Sequence, residues 1–247
     1  MGVFGNNIEN IPWKSWLAGE EVFLDNTQLN NEESKCLLKA VTFRFANDNS
    51  KDSIIGVVCY QLLTQLRGIV ISDKTPTYEN KGRDGGDTRI LGEYDPTHRT
   101  ITLYILSIRA MASNENSSSN NLLIYVFAHE MYHAFFHESN PSGVNNPYIE
   151  EPLAEYGALL FSCAFLEPSK FEGILSFVED KQDGLPHYAL GATLFKKVDL
   201  PSSVVIPYLN VRDKSFSGKS EQVVEYVNMV KQGELLCARD TLLNLLK

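Results

Sequence analysis

The chain has 247 residues, 43% of them apolar and 21% charged, which is the balance of a globular protein with enough length to bury a real core. Its net charge of -9 excludes the basic footprint that binding to nucleic acid or to anionic lipid requires. No apolar run is long enough to span a bilayer, so neither nucleic acid nor membrane is an expected partner.

Met1 to Trp16 has no basic segment followed by a long apolar stretch, so no secretory leader is visible and a cytoplasmic location is expected. Met1-Gly2 starts like a myristoylation signal, but Asn6 stands where Ser or Thr belongs. The cysteines, Cys36, Cys59, Cys163 and Cys237, form no CxxC pair. Cys59 and Cys163 lie in apolar runs and read as buried thiols rather than parts of a disulfide framework.

Along the chain, Val41 to Phe45 alternates and is rich in β-formers, which predicts a strand. Ile54 to Leu66 is apolar all round, as in a buried helix, and Gly68 ends it before a short strand at Ile69 to Ile71. Asp73 to Thr88 is rich in Lys, Asp, Gly and Thr and reads as a long exposed loop. Arg89 to Tyr94 and Arg99 to Ile105 flank the turn-forming Asp95-Pro96-Thr97-His98, which predicts a hairpin. Ser113 to Asn121 is a polar tract expected to be a mobile loop that offers N-caps to the next element. Leu122 to about Phe136 is a strongly apolar helix, Glu138 to Tyr148 a Pro- and Asn-containing loop, and Ile149 to Leu166 a second helix. Beyond Pro168 the pattern is helical at roughly 169–181, 186–197 and 220–246, the last divisible in two, with an irregular piece at 198–219. Strands in the first half and helices in the second make an α+β chain. The expected division is residues 1–166, an α+β part with the site, and 167–247, a helical part closing the cleft.

The first apolar helix carries His129-Glu130-Met131-Tyr132-His133. Residues four apart lie one turn apart on one helix face, so two imidazoles at this spacing can grip one zinc ion. Glu130 is placed to reach a water on that ion, whose pKa zinc lowers to about 7, to take its proton and to pass it to a leaving amine. With only five histidines in the chain, a chance HExxH is roughly a 1% event. The bland reading, a pair of core or half-exposed histidines, leaves polar groups unpaired on an otherwise apolar helix.

A catalytic zinc needs a third protein ligand. Glu151 and Glu155 are four apart on the second helix and share a face, so Glu151 is the candidate ligand and Glu155 the candidate acceptor for the outer N–H of a ligand histidine. Glu150 and Glu151 are also what the positive end of a helix favours in its first turn. Glu155, set between Leu153-Ala154 and Tyr156-Gly157-Ala158, has no such explanation and is expected to have a partner.

His129-Glu130-Met131-Tyr132-His133 followed by Glu150-Glu151-Pro152-Leu153-Ala154-Glu155 resembles the gluzincin metallopeptidases, the thermolysin-like clan, over about residues 89–166. The resemblance implies a zincin-like fold: a mixed sheet, the HExxH helix, a glutamate helix and a mainly helical C-terminal part. In that family a second-helix glutamate roughly 18–20 residues after the second histidine completes the zinc site, a window that holds Glu151, and an acid four positions later, here Glu155, supports a ligand histidine. Arg99 to Ile105 resembles the edge strand that pairs with an extended peptide.

The chain also departs from related patterns. No GxMEN-type segment that would hold a substrate amino terminus is present, which favours an endopeptidase. The metzincin pattern fails, with Phe136 where Gly belongs and no His at 139. His137 extends the histidine series, but a straight helix cannot aim three residues at i, i+4 and i+8 at one ion. His187 and Tyr188 are candidates for stabilising the developing oxyanion, against a bland reading as the start of a packed helix.

The sequence therefore predicts a zinc peptidase acting on peptide or protein substrates, with His129, His133 and Glu151 as ligands and Glu130 as general base. The alternative is a catalytically inactive, metal-containing module that binds a peptide or protein.

Overall fold

The computed structural model of the chain describes residues 8–11, 14, 28–42, 66–79, 87–114, 117–139, 146–180, 186–197 and 219–246. Among these, the strands are β1 (Ile8–Ile11), β2 (Gly68–Ser72), β3 (Thr77–Glu79), β4 (Asp87–Arg89), β5 (Gly92–Asp95) and β6 (Thr100–Tyr104). The helices are α1 (Asn31–Thr42), α2 (Ile105–Asn114), α3 (Ser119–Ser139), α4 (Pro147–Phe165), α5 (Pro168–Glu179), α6 (Pro186–Lys197), α7 (Ser220–Gln232) and α8 (Leu235–Leu245). The class is α+β. No helix among the described residues is long and apolar enough to cross a membrane.

Four strands form one mixed sheet in the order β1-β2-β6-β5. β2 and β6 run parallel at its centre, with β1 and β5 antiparallel outside them. Ile69 and Ile71 of β2 and Ile101 and Leu103 of β6 are fully buried, and they alternate along their strands as residues on one covered face must. β3 and β4 pair separately as a two-stranded ribbon. The hairpin at Asp95 to His98 is present, but β6 lies between β2 and β5 and its backbone is paired on both sides. The outer strand beside α3 is β5, so Arg99 to Ile105 is not the edge that sequence suggested.

Other differences have local causes. Val41 and Thr42 end a helix rather than begin a strand, and 43–45 lie outside the described residues. A capping box starts α1: Asn30 Oδ1 accepts from Glu33 N at 2.9 Å while Glu33 Oε2 accepts from Asn30 N at 2.9 Å. Leu37, Ala40 and Val41 then share its buried face, and that burial outweighs the β-preference of Val41. The polar stretch from Asp73 contains β3 and β4, because a ribbon pairs its backbones without an apolar face; 80–86 are outside the described residues. Ile105 opens a helix, and the Ser/Asn tract is mostly helix ends, α2 closing at Asn114 and α3 opening at Ser119. The helix read at 54–66 is outside the described residues except for Leu66, which is buried and not helical. The irregular piece is likewise outside them apart from Lys219, and so is Cys59. Cys163 is exposed, not buried, since it falls on the outward side of α4. The last helical stretch divides at Gly233, whose φ of 76° is a left-handed helix stop that glycine adopts without strain.

Both ends of the described chain are tied to the two helices that carry the predicted site. At the N-terminal side, Glu33 is fully buried and accepts from Arg109 of α2 through Nε at 2.9 Å and Nη2 at 2.5 Å, and from Ser119 at the start of α3 at 3.2 Å. At the C-terminal side, α4 contains Pro152 in its interior. Proline has no N–H for the carbonyl four residues back, which is that of Tyr148. The hydroxyl of fully buried Tyr226 on α7 donates to that carbonyl instead. Two glycines allow close helix contacts. A Cβ on Gly157 would meet the Tyr132 ring of α3 at 2.4 Å, and one on Gly191 of α6 would meet Glu155 Cβ at 2.3 Å.

Tyr226→Phe deletes only the hydroxyl and leaves the Tyr148 carbonyl without that donor. It should lower stability by about 1–3 kcal/mol, the cost of an unsatisfied buried acceptor, read from urea unfolding midpoints. Glu33 is subject to opposite effects: burial pushes its carboxyl up, but the Arg109 hydrogen bond and charge, with the Asn30 N–H and Ser119, outweigh burial and hold it below the ordinary 4.5. A depressed folded-state value contributes stability above pH 4.5 that is lost as pH falls through the folded value. Glu33→Gln should cost roughly 2–4 kcal/mol at pH 7, with the guanidinium's partial exposure taken into account, and should flatten the acid limb of the stability–pH curve.

Candidate metal centre

α3 is buried continuously from Leu122 to Tyr132, and His129 and Glu130 are only 7% and 6% exposed. The imidazoles of His129 and His133 face the first three turns of α4. Asn146 caps α4 by accepting from Tyr148 N at 3.1 Å, and Pro147 sits at the first helical position, so the glutamates enter the helix in a fixed register.

His129 Nε2 and His133 Nε2 are 3.0 Å apart, and Glu151 Oε2 lies 3.3 Å from the first and 3.4 Å from the second. Three donor atoms on a tetrahedral ion at about 2.05 Å are separated by about 3.3 Å, so this triangle has the dimensions of one face of such a site. Glu151 Oε2 is buried, with the two imidazoles as its neighbours. The three residues can therefore hold a metal ion.

The opposite side of each imidazole meets another acid. Glu155 Oε1 is 3.7 Å from His129 Nδ1, and Glu150 Oε1 is 3.7 Å from His133 Nδ1. Both glutamates are buried, at 1% and 3% exposure.

Glu130 packs on the outer strand: a Cβ on Gly92 would be 2.9 Å from Glu130 Cγ and 3.0 Å from its Oε1. Tyr104 N donates to Leu91 O, so the bonded pairs of β5 and β6 fall on Leu91, Glu93 and Asp95, and the backbone groups of Gly92 and Tyr94 point away from β6. The Tyr94 N–H is directed at the Glu130 carboxylate.

The charges adjust to this crowding. Burial, with the Glu151 and Glu93 carboxylates nearby, pushes Glu130 up to about 8 against the pull of His133 and the Tyr94 N–H. Burial alone pulls the His133 imidazolium down and pushes the Glu151 carboxyl up. Their mutual attraction outweighs it, with Glu150 assisting His133 and His129 assisting Glu151, so His133 is held well above its ordinary range and Glu151 well below.

The remaining predicted residues separate. Tyr188 stacks on His129 with ring centroids 5.9 Å apart. His187 lies against Tyr148 at 5.8 Å and Tyr188 at 4.6 Å. His137 is one turn too far along α3 for the triangle and sits by Glu138, 3.6 Å away, and the Tyr94 ring. Sequence reasoning missed the contact of Glu150 with His133 and that of Gly92 with Glu130. Adjacent helical positions are 100° apart, so Glu150 and Glu151 can flank one target; that signal was in the sequence, masked by the first-turn explanation. Nothing local marks Gly92.

No protein family, curated protein or solved structure matches the chain.

Proposed function

We propose that the chain is a zinc-dependent peptidase with a gluzincin-type site and a zincin-like fold, hydrolysing peptide bonds in peptide or protein substrates. The observation that carries this reading is the triangle of His129 Nε2, His133 Nε2 and Glu151 Oε2 at 3.0–3.4 Å, with Glu130 next to the first ligand on the same helix. Two imidazoles and one carboxylate are a donor set zinc accepts, with one position left open. A bound zinc supplies Lewis acidity to a water and to the scissile carbonyl.

The chain's own residues supply the rest. Glu130 takes the proton of the attacking water and delivers it to the leaving nitrogen, a role that needs its carboxylate form; burial opposes that form, and a positive ion at the triangle would favour it. Glu155 and the stacked Tyr188 ring fix the plane of His129. Tyr188 is assigned over His187 as the donor to the developing oxyanion, because its ring stacks on the ligand residue His129. The outward backbone groups of Gly92 on β5, beside Glu130, are suited to pair with an extended peptide, while the neighbouring Tyr94 N–H orients the Glu130 carboxylate.

Added Zn2+ should bind at one ion per chain and raise unfolding stability by about 2.7 kcal/mol at a hundredfold excess over Kd. His129→Ala, His133→Ala and Glu151→Ala should each abolish that rise. The zinc-loaded chain should cleave members of a broad peptide pool by mass spectrometry. Glu130→Gln should keep its zinc while losing hydrolysis by roughly 10²–10⁴-fold. Zinc binding without any cleavage by the unaltered chain supports the peptide- or protein-binding module instead; no zinc binding sinks both readings.

A further inference from the structure

The site has carboxylates behind both histidines, not one. α4 presents Glu150, Glu151 and Glu155 to α3, and the three divide their work by atom. Glu151 Oε2 faces the two Nε2 atoms. Glu155 Oε1 faces Nδ1 of His129 and Glu150 Oε1 faces Nδ1 of His133, each at 3.7 Å. That is ion-pair distance, longer than a hydrogen bond. Glu150 is 3% exposed, whereas an acid that only complements a helix dipole does so from the surface.

An ionised carboxylate can only accept a hydrogen bond. Once the Nε2 atoms, which face each other and Glu151, give their lone pairs to an ion, the one ring hydrogen left to each imidazole sits on Nδ1, the nitrogen turned to Glu150 or Glu155. We propose that Glu150 is a positioning residue for His133, holding its Nδ1–H so that Nε2 is presented to the ion, as Glu155 does for His129. The proposal rests on the metal reading for its purpose, but the Glu150–His133 contact stands apart from it. It makes the two-ligand helix symmetric: each ring is gripped from behind by its own acid on α4, and two consecutive residues, Glu150 and Glu151, hold opposite sides of the same His133 ring.

The test uses the full chain with ¹⁵N-labelled histidine and Zn2+ as the probe. Proton spectra of the unaltered protein should contain a solvent-protected, downfield Nδ1–H signal from each of His129 and His133. Glu150→Ala should remove the His133 signal and spare that of His129; Glu155→Ala should do the reverse. Glu150→Gln keeps an acceptor oxygen and should retain the His133 signal. Zn2+ affinity, from competition with a chromophoric chelator, should fall roughly 10–100-fold in Glu150→Ala and largely recover in Glu150→Gln.

A His133 Nδ1–H that is absent from the unaltered protein overturns the proposal without any variant. So does a Glu150→Ala protein that loses thermal stability alone, with the His133 signal and Zn2+ affinity unchanged. Failure of the unaltered chain to bind Zn2+ removes the metal reading, and the Nδ1–H spectra still decide whether Glu150 holds His133.

Discussion

The structure depends on how α3 buries polar side chains. Its Leu122–Tyr132 stretch is inside the molecule, and His129 and Glu130 go in with it. A buried imidazole or carboxylate without partners costs several kcal/mol, so an apolar neighbour in the place of α4 would leave α3 unstable where it is. α4 answers with three acids in its first three turns, each within 3.3–3.7 Å of an imidazole nitrogen. Apolar packing brings the two helices together, but it is these contacts that set their register. Gly157 then lets the Tyr132 ring lie against the α4 backbone, a closeness no other residue at 157 permits without displacement.

Fixing α4 so tightly creates a second problem, which distant parts of the chain solve. Pro152 stands between Glu151 and Glu155 and deprives the Tyr148 carbonyl of its helical donor; Tyr226, seventy-eight residues later, replaces it. On the other helix, the first residue of α3 is held by Glu33, which also closes the cap of α1 and binds Arg109 of α2. Residues near both ends of the described chain thus terminate on the helices that carry the cluster. The helical C-terminal part reaches the site in a second way: Gly191 brings α6 against Glu155, and Tyr188 from the same helix stacks on His129.

Legibility in the sequence followed how local each cause was. The motif helix and the glutamate helix were readable because periodicity, Pro147 and the His and Glu spacings act within a few residues. The hairpin was readable from Asp95-Pro96. The order of the sheet was not, because nothing within β5 or β6 tells which of them has a second neighbour; that follows from where β2 pairs. The strand expected at Val41 failed since burial of Leu37, Ala40 and Val41 on one helical face prevails over a β-branched side chain's own preference. Glu150 was legible as an acid and illegible as a partner, because first-turn acids occur for reasons unrelated to a ligand. Only the position of His133 across the helix interface separates the two.

The charge count at the centre carries the last step. Glu130, Glu150, Glu151 and Glu155 meet two imidazoles, and all four carboxyls are buried or nearly so. Even with both rings protonated, the positive charge covers half of the negative. Inside a protein that imbalance is expensive, and groups shift their protonation to reduce it. The shifts run as this requires: the Glu130 carboxyl retains its proton up to about 8, and His133 is held cationic by Glu151. Protons thus offset part of the negative charge of the cluster. A divalent ion at the triangle would bring two positive charges and displace the two ring protons, so it would take over the role of those protons without changing the net balance. The two glutamates behind the histidines fit the same terms, since they add negative charge beside the two rings that protons on the rings, or an ion between them, would offset.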